Sequence, residues 1–65
     1  MEKRERLKVI LEHWIRHNEV HLEEYRRWAN RASSFGFDGV RERILAATEK
    51  IAEANAILRE ALESL

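Results

Sequence analysis

The sequence predicts an all-α fold: an antiparallel two-helix hairpin that pairs with a second copy into a homodimeric four-helix bundle. Three observations lead there. Long stretches without Gly or Pro lie on either side of one short Gly-containing segment. Apolar residues recur at alternating steps of four and three along both stretches. Finally, the chain has only 65 residues, and chains below about 70–80 residues rarely bury an adequate core unaided.

Each element follows from local composition. Over residues 3–32, approximately, Glu, Arg, Leu and Lys dominate without a helix breaker, which predicts the first helix. The segment Ser33-Ser34-Phe35-Gly36-Phe37-Asp38-Gly39 holds both glycines and predicts a turn over about 33–38. Gly36 is expected in the left-handed conformation that closes a helix, and Asp38 is expected to cap the next one through its carboxylate. The second helix is expected over about 39–64, making residues 1–65 a single helical-hairpin domain. At about 1.5 Å per residue each helix is roughly 40 Å long, and the short loop makes them antiparallel.

Seams of the coiled-coil kind run along both helices. The first comprises Leu7, Leu11, Trp14, Asn18, His21, Tyr25, Trp28 and Ala32; the second comprises Val40, Ile44, Ala47, Ile51, Ala54, Leu58, Ala61 and Leu65. The rings of Trp14, Tyr25 and Trp28 are expected to fill the space left by the alanines opposite. Further apolar positions, Ile10 and Leu22 on one helix and Leu45, Ala52, Ala56, Ile57 and Leu62 on the other, widen each stripe towards a second neighbour. Glu12, Glu19, Glu23 and Arg26, with Glu42, Glu49, Glu53, Glu60 and Glu63, read as solvated outer surface.

Composition narrows the function. Twelve Lys and Arg balance twelve Asp and Glu, which supplies no electrostatic attraction to nucleic acid or an anionic membrane. Without Cys there is no disulfide, zinc ribbon, iron–sulfur cluster or thiol chemistry. No Gly-rich phosphate loop, signal peptide or apolar stretch of membrane-spanning length stands out, and the cytoplasm is the expected location. Nothing matches a Ser/His/Asp or paired-carboxylate arrangement, so an enzyme is the weaker expectation.

The informative residues interrupt the first seam at its middle. Asn18 and His21 occupy consecutive core positions, and a turn near Gly36 sets Asn18 level with Ala54 and Asn55. Asn18 and Asn55 therefore form an expected buried polar layer, of the kind that fixes register or oligomeric state. His13, His17 and His21 recur at every fourth residue, a ladder leaning towards the core. His13 and His21 begin about 12 Å apart along the axis, too far to share one ion. Two chelates remain: His17 with His21, completed by a partner chain or carboxylate, or His13 with His17, supported by His21. Glu24, one turn beyond His21, is the nearest local carboxylate on the same clock face. A nitrogen-rich, sulfur-free set suits Zn, Ni or Cu(II). The leading expectation is thus a small metal-binding protein using His13, His17, His21 and Glu24, with the site at a dimer interface. The alternative is a structural or protein-interaction bundle whose Asn/His layer sets pairing without metal.

The stretch Leu11-Glu12-His13-Trp14-Ile15-Arg16-His17-Asn18-Glu19-Val20-His21, with the following Tyr25 and Trp28-Ala29, resembles small uncharacterised helical-hairpin domains of prokaryotes that carry an H-W-x-x-H-N-x-x-H pattern. The resemblance extends to Ala54-Asn55. It implies a helical hairpin and directs attention to His13, His17, Asn18 and His21, and it implies no activity. Regular heptads without Pro or Cys also fit a designed helical bundle.

Overall fold

The structure, a computed structural model, describes residues 2–65. Two helices pack antiparallel as a hairpin: α1 spans Lys3–Ser34 and α2 spans Asp38–Glu63. Among the described residues there is no strand. At its N-terminus α1 is capped by Glu2, whose carboxylate accepts from the Arg4 backbone N–H at 3.0 Å. At the open end of the hairpin the Arg4 guanidinium donates to the Leu65 main-chain oxygen, tying the two helices together.

The break is three residues, Phe35 to Phe37, shorter than the sequence predicts because α1 continues through Ser33 and Ser34. Gly36 takes the expected left-handed conformation, with φ of 88°. Around it Phe37 N–H donates to Ala32 O at 2.8 Å and Gly36 N–H donates to Ser33 O at 3.0 Å, the paired bonds of a Schellman ending. Phe37, Phe35 and Val40 gather over Trp28, Ala32 and Ile44, giving that ending its apolar contact.

Asp38 corrects one expectation. It is the first residue of α2 rather than its cap, and Phe37 in the N-cap position brings no side-chain hydrogen bond. The Asp38 carboxylate instead accepts from the Ser33 hydroxyl at 3.0 Å, bracing the turn across the two helix ends.

The packed seam also differs from the predicted one, by one residue in alternate layers. On α1 the buried side chains are Ile15, Leu22, Ala29 and Ala32, with Leu11, Asn18, His21 and Tyr25 half-buried. On α2 they are Thr48 and Asn55, with Ile44, Leu45, Ile51, Ala52, Leu58 and Leu62 half-buried, as is Leu65 just beyond the helix. Trp14 and Trp28, expected to fill the intrahairpin core, remain 47% and 50% exposed. The cause is geometric. Ile15, Leu22 and Ala29 each lie one residue, about 100° of helix rotation, beyond Trp14, His21 and Trp28. A closer approach is available through Ala29 and Ala32 than through two indoles, so the branched and small side chains turn inward.

Candidate functional site

The polar layer forms near mid-length of the contact between α1 and α2, where Asn18, Ile15 and Asn55 meet. Asn55 is the most buried residue of the layer, 1% exposed. Its amide works in both directions. Asn55 Oδ1 accepts from Asn18 Nδ2 at 3.0 Å, and Asn55 Nδ2 donates to the Ile15 carbonyl oxygen at 3.2 Å. Because Ile15 lies one turn before Asn18, the two bonds clamp α2 to a fixed height and rotation on α1. A buried amide left unpaired costs about 1–3 kcal/mol, so slipping this register is penalised at each broken bond. Thr48, also buried, returns its hydroxyl to the Ile44 carbonyl at 2.8 Å and makes no bond across the interface.

The histidines lie on the adjoining flank of α1. His21 is half-buried, whereas His13, His17 and Glu24 are exposed. Their four-residue spacing stacks the rings along one line. His13 and His17 lie parallel with centroids 5.8 Å apart, while His17 and His21 meet edge to face at 4.5 Å. Tyr25 continues the line, its ring stacked 6.0 Å from His21. The same spacing could have marked Tyr25 as the fourth rung.

Only one pair brings its nitrogens together: His17 Nε2 and His21 Nε2 are 3.0 Å apart, in a hydrogen bond whose donor is set by the tautomers. The parallel rings of His13 and His17 make no such approach. Among the described residues, no group of three or more His, Cys, Asp or Glu side chains is gathered to hold an ion. One hairpin therefore supplies two imidazole nitrogens at a single point and no third ligand beside them.

Around this pair the surface is apolar. Leu7, Ile10, Trp14 and Trp28 from α1, and Val40, Ala47, Ala54 and Ala61 from α2, are all exposed. Arg31 lies over the Trp28 ring, 4.6 Å from its centroid, at the rim of this surface. The opposite broad face carries Arg16, Glu19, Glu23, Arg26 and Arg59 around the side chains of Val20, Leu22 and Ala52, with an ion pair of 3.1 Å between Arg59 and Glu19. No helix is long and apolar enough to cross a membrane among the described residues.

No curated protein and no solved structure is significantly similar to this chain. A family model does match it, over residues 7–65, which takes in the histidine ladder, both asparagines and the turn. The chain belongs to that family, described as a domain of unknown function (DUF8180).

Proposed function

We propose that this chain is a self-associating interaction module, two hairpins closing into a four-helix bundle through the face that carries Trp14, His21 and Trp28. The observation that carries this reading is the one-residue rotation of the packed seam. Leu7, Trp14 and Trp28 on α1, and Val40, Ala47, Ala54 and Ala61 on α2, keep heptad spacing yet lie outside the hairpin's own contact. A heptad stripe left exposed on both helices is what a second helical layer packs against.

Self-complementarity selects a second copy as the occupant. With two α1 helices antiparallel, the seam pairs with itself: Leu7 meets Ala32 of the second copy, Leu11 meets Trp28, Trp14 meets Tyr25 and Asn18 meets His21. The two-fold axis then crosses α1 between Glu19 and Val20. Along α2 the same operation sets Val40 against Leu65, Ile44 against Ala61, Ala47 against Leu58 and Ile51 against Ala54, with the axis between Ala52 and Glu53. In the last three of these layers a bulky side chain meets an alanine, the alternation that packs without voids. One axis serves both helices only if its two crossing points are level. The hydrogen bonds of Asn18 with Asn55 and of Ser33 with Asp38 each set a register within one residue, about 1.5 Å, of that agreement. An isologous two-fold contact needs this agreement.

The dimensions agree as well. The backbone of the hairpin extends 51 × 16 × 10 Å, long and broad enough for a contact of the size that stable pairs form, about 800 Å² from each partner. Its own core is small: the buried apolar side chains are Ile15, Leu22, Ala29 and Ala32. Sedimentation of the tag-free chain at tens of micromolar tests the proposal. A dimer that Trp14→Glu converts to monomer supports it. A wild-type monomer at that concentration overturns it.

A further inference from the structure

We infer that His17 and His21 form half of a divalent transition-metal site, completed by His17 and His21 of a second copy on the two-fold axis. The inference rests on the proposed self-association and adds a ligand to it.

The half-site is nearly formed. Two imidazole nitrogens bound to one tetrahedral ion at about 2.0–2.1 Å stand about 3.3 Å from each other. His17 Nε2 and His21 Nε2 stand 3.0 Å apart, so seating an ion between them asks for an opening of about 0.3 Å. The rings already present their Nε2 edges to one point, at 82° to each other. Binding replaces the hydrogen bond between them. The ring that now carries its proton on Nε2 takes the Nδ1–H tautomer, so both Nε2 lone pairs reach the ion and two neutral imidazoles release no proton. His13 is excluded because its ring lies parallel to His17 and 5.8 Å away.

Position along the helix supplies the other half. The midpoint of His17 and His21 falls at Glu19, and the axis derived from the apolar seams crosses α1 between Glu19 and Val20. The two histidine pairs therefore come within about 1.5 Å of each other along the bundle. No other group of titratable side chains on α1 has both converging nitrogens and this central placement. Four nitrogens without sulfur suit Zn, Ni or Cu(II), and a closed tetrahedral set suits Zn best.

Zn(II) is the probe. Tag-free protein at pH 7.5 is titrated calorimetrically while its mass is followed by sedimentation, beside His17→Ala/His21→Ala and the outer-surface variant Glu49→Gln. One Zn per two chains in a dimer is expected. The double variant, which removes all four ligands, should lose the site, with affinity down by at least on the order of a hundredfold, whereas Glu49→Gln should bind as wild type does. A dimer that takes up no Zn overturns the metal site and leaves the self-association standing. A monomer that dimerises only on Zn upholds the site and overturns unaided pairing. A monomer under all conditions overturns both, and one Zn per chain, whatever the mass, overturns the shared site. Circular dichroism of the double variant separates lost ligands from lost folding: helical signal retained with binding lost supports the assignment, and Zn affinity retained overturns it.

Discussion

The two broad faces of the hairpin start from the same helices and end as opposites. On one, Arg16, Glu19, Glu23, Arg26 and Arg59 interleave their charges, and the Arg59–Glu19 pair joins α1 to α2 in contact with water. On the other, Leu7, Trp14 and Trp28 lie beside Val40, Ala47, Ala54 and Ala61, with His17 and His21 near the centre, Glu24 one turn beyond His21 and Lys50 one turn from both Ala47 and Ala54. The first face is complete as it stands, because solvent satisfies every charge on it. The second leaves two indoles about half exposed, a cost that a partner layer removes. The charged face and the apolar face thus lie on opposite sides of the same helices: Arg16 and Arg26 each stand two residues, about 200° of helix rotation, from Trp14 and Trp28.

The contrast can be broken most severely at an indole. Trp28→Glu should weaken self-association by about 4 kcal/mol, roughly a thousandfold, since a buried interfacial Trp contributes about 2 kcal/mol or more and the two-fold axis presents the change twice. Sedimentation over a concentration series reads this directly. Next in size is the amide clamp between the faces. Asn55→Ala removes both the Asn18 bond and the Ile15 bond and should lower stability by about 1–3 kcal/mol, seen as a lower thermal midpoint. Asn18→Ala should cost less, because Asn18 is half-buried and makes only one of those bonds.

Smaller still is the turn. Gly36→Ala places a side chain at φ of 88° and should cost about 1 kcal/mol from backbone strain alone, as no neighbour lies within 4 Å of the added carbon. The polar face should respond least. Glu19→Gln breaks an ion pair whose side chains are 49% and 52% exposed, and it should change the midpoint by no more than about 0.5 kcal/mol equivalent and leave the sedimenting mass alone. If Glu19→Gln altered assembly as much as Trp28→Glu, the assignment of the two faces would be reversed.

Much of this was legible in residue spacing. Helix formers interrupted only by Gly36 and Gly39 specify a hairpin, and the left-handed Gly36 follows from the need to end α1. The pairing of Asn18 with Asn55 follows from rise per residue on either side of that turn. Rotation was harder to read. Spacing put Trp14, His21 and Trp28 in the seam with Leu22 beside it and left Ile15 and Ala29 out, whereas Ile15, Leu22 and Ala29 are the side chains that turn towards α2. That depends on how closely the helices approach, which Ala29, Ala32 and the short Phe35–Phe37 connection decide together. Asp38 shows the same limit at the turn: capping propensity identified a useful carboxylate, while the extension of α1 through Ser34 redirected it to Ser33. At the histidines, spacing named the residues, and only the ring orientations single out His17 with His21 over His13 with His17.

The most direct test of a face built to receive its own copy is sedimentation equilibrium of wild type beside Trp28→Glu, both tag-free at tens of micromolar. The account predicts twice the 7.8 kDa chain mass for wild type and the single-chain mass for the variant. A wild-type chain that sediments as a monomer, or a Trp28→Glu chain that remains a dimer, would contradict it.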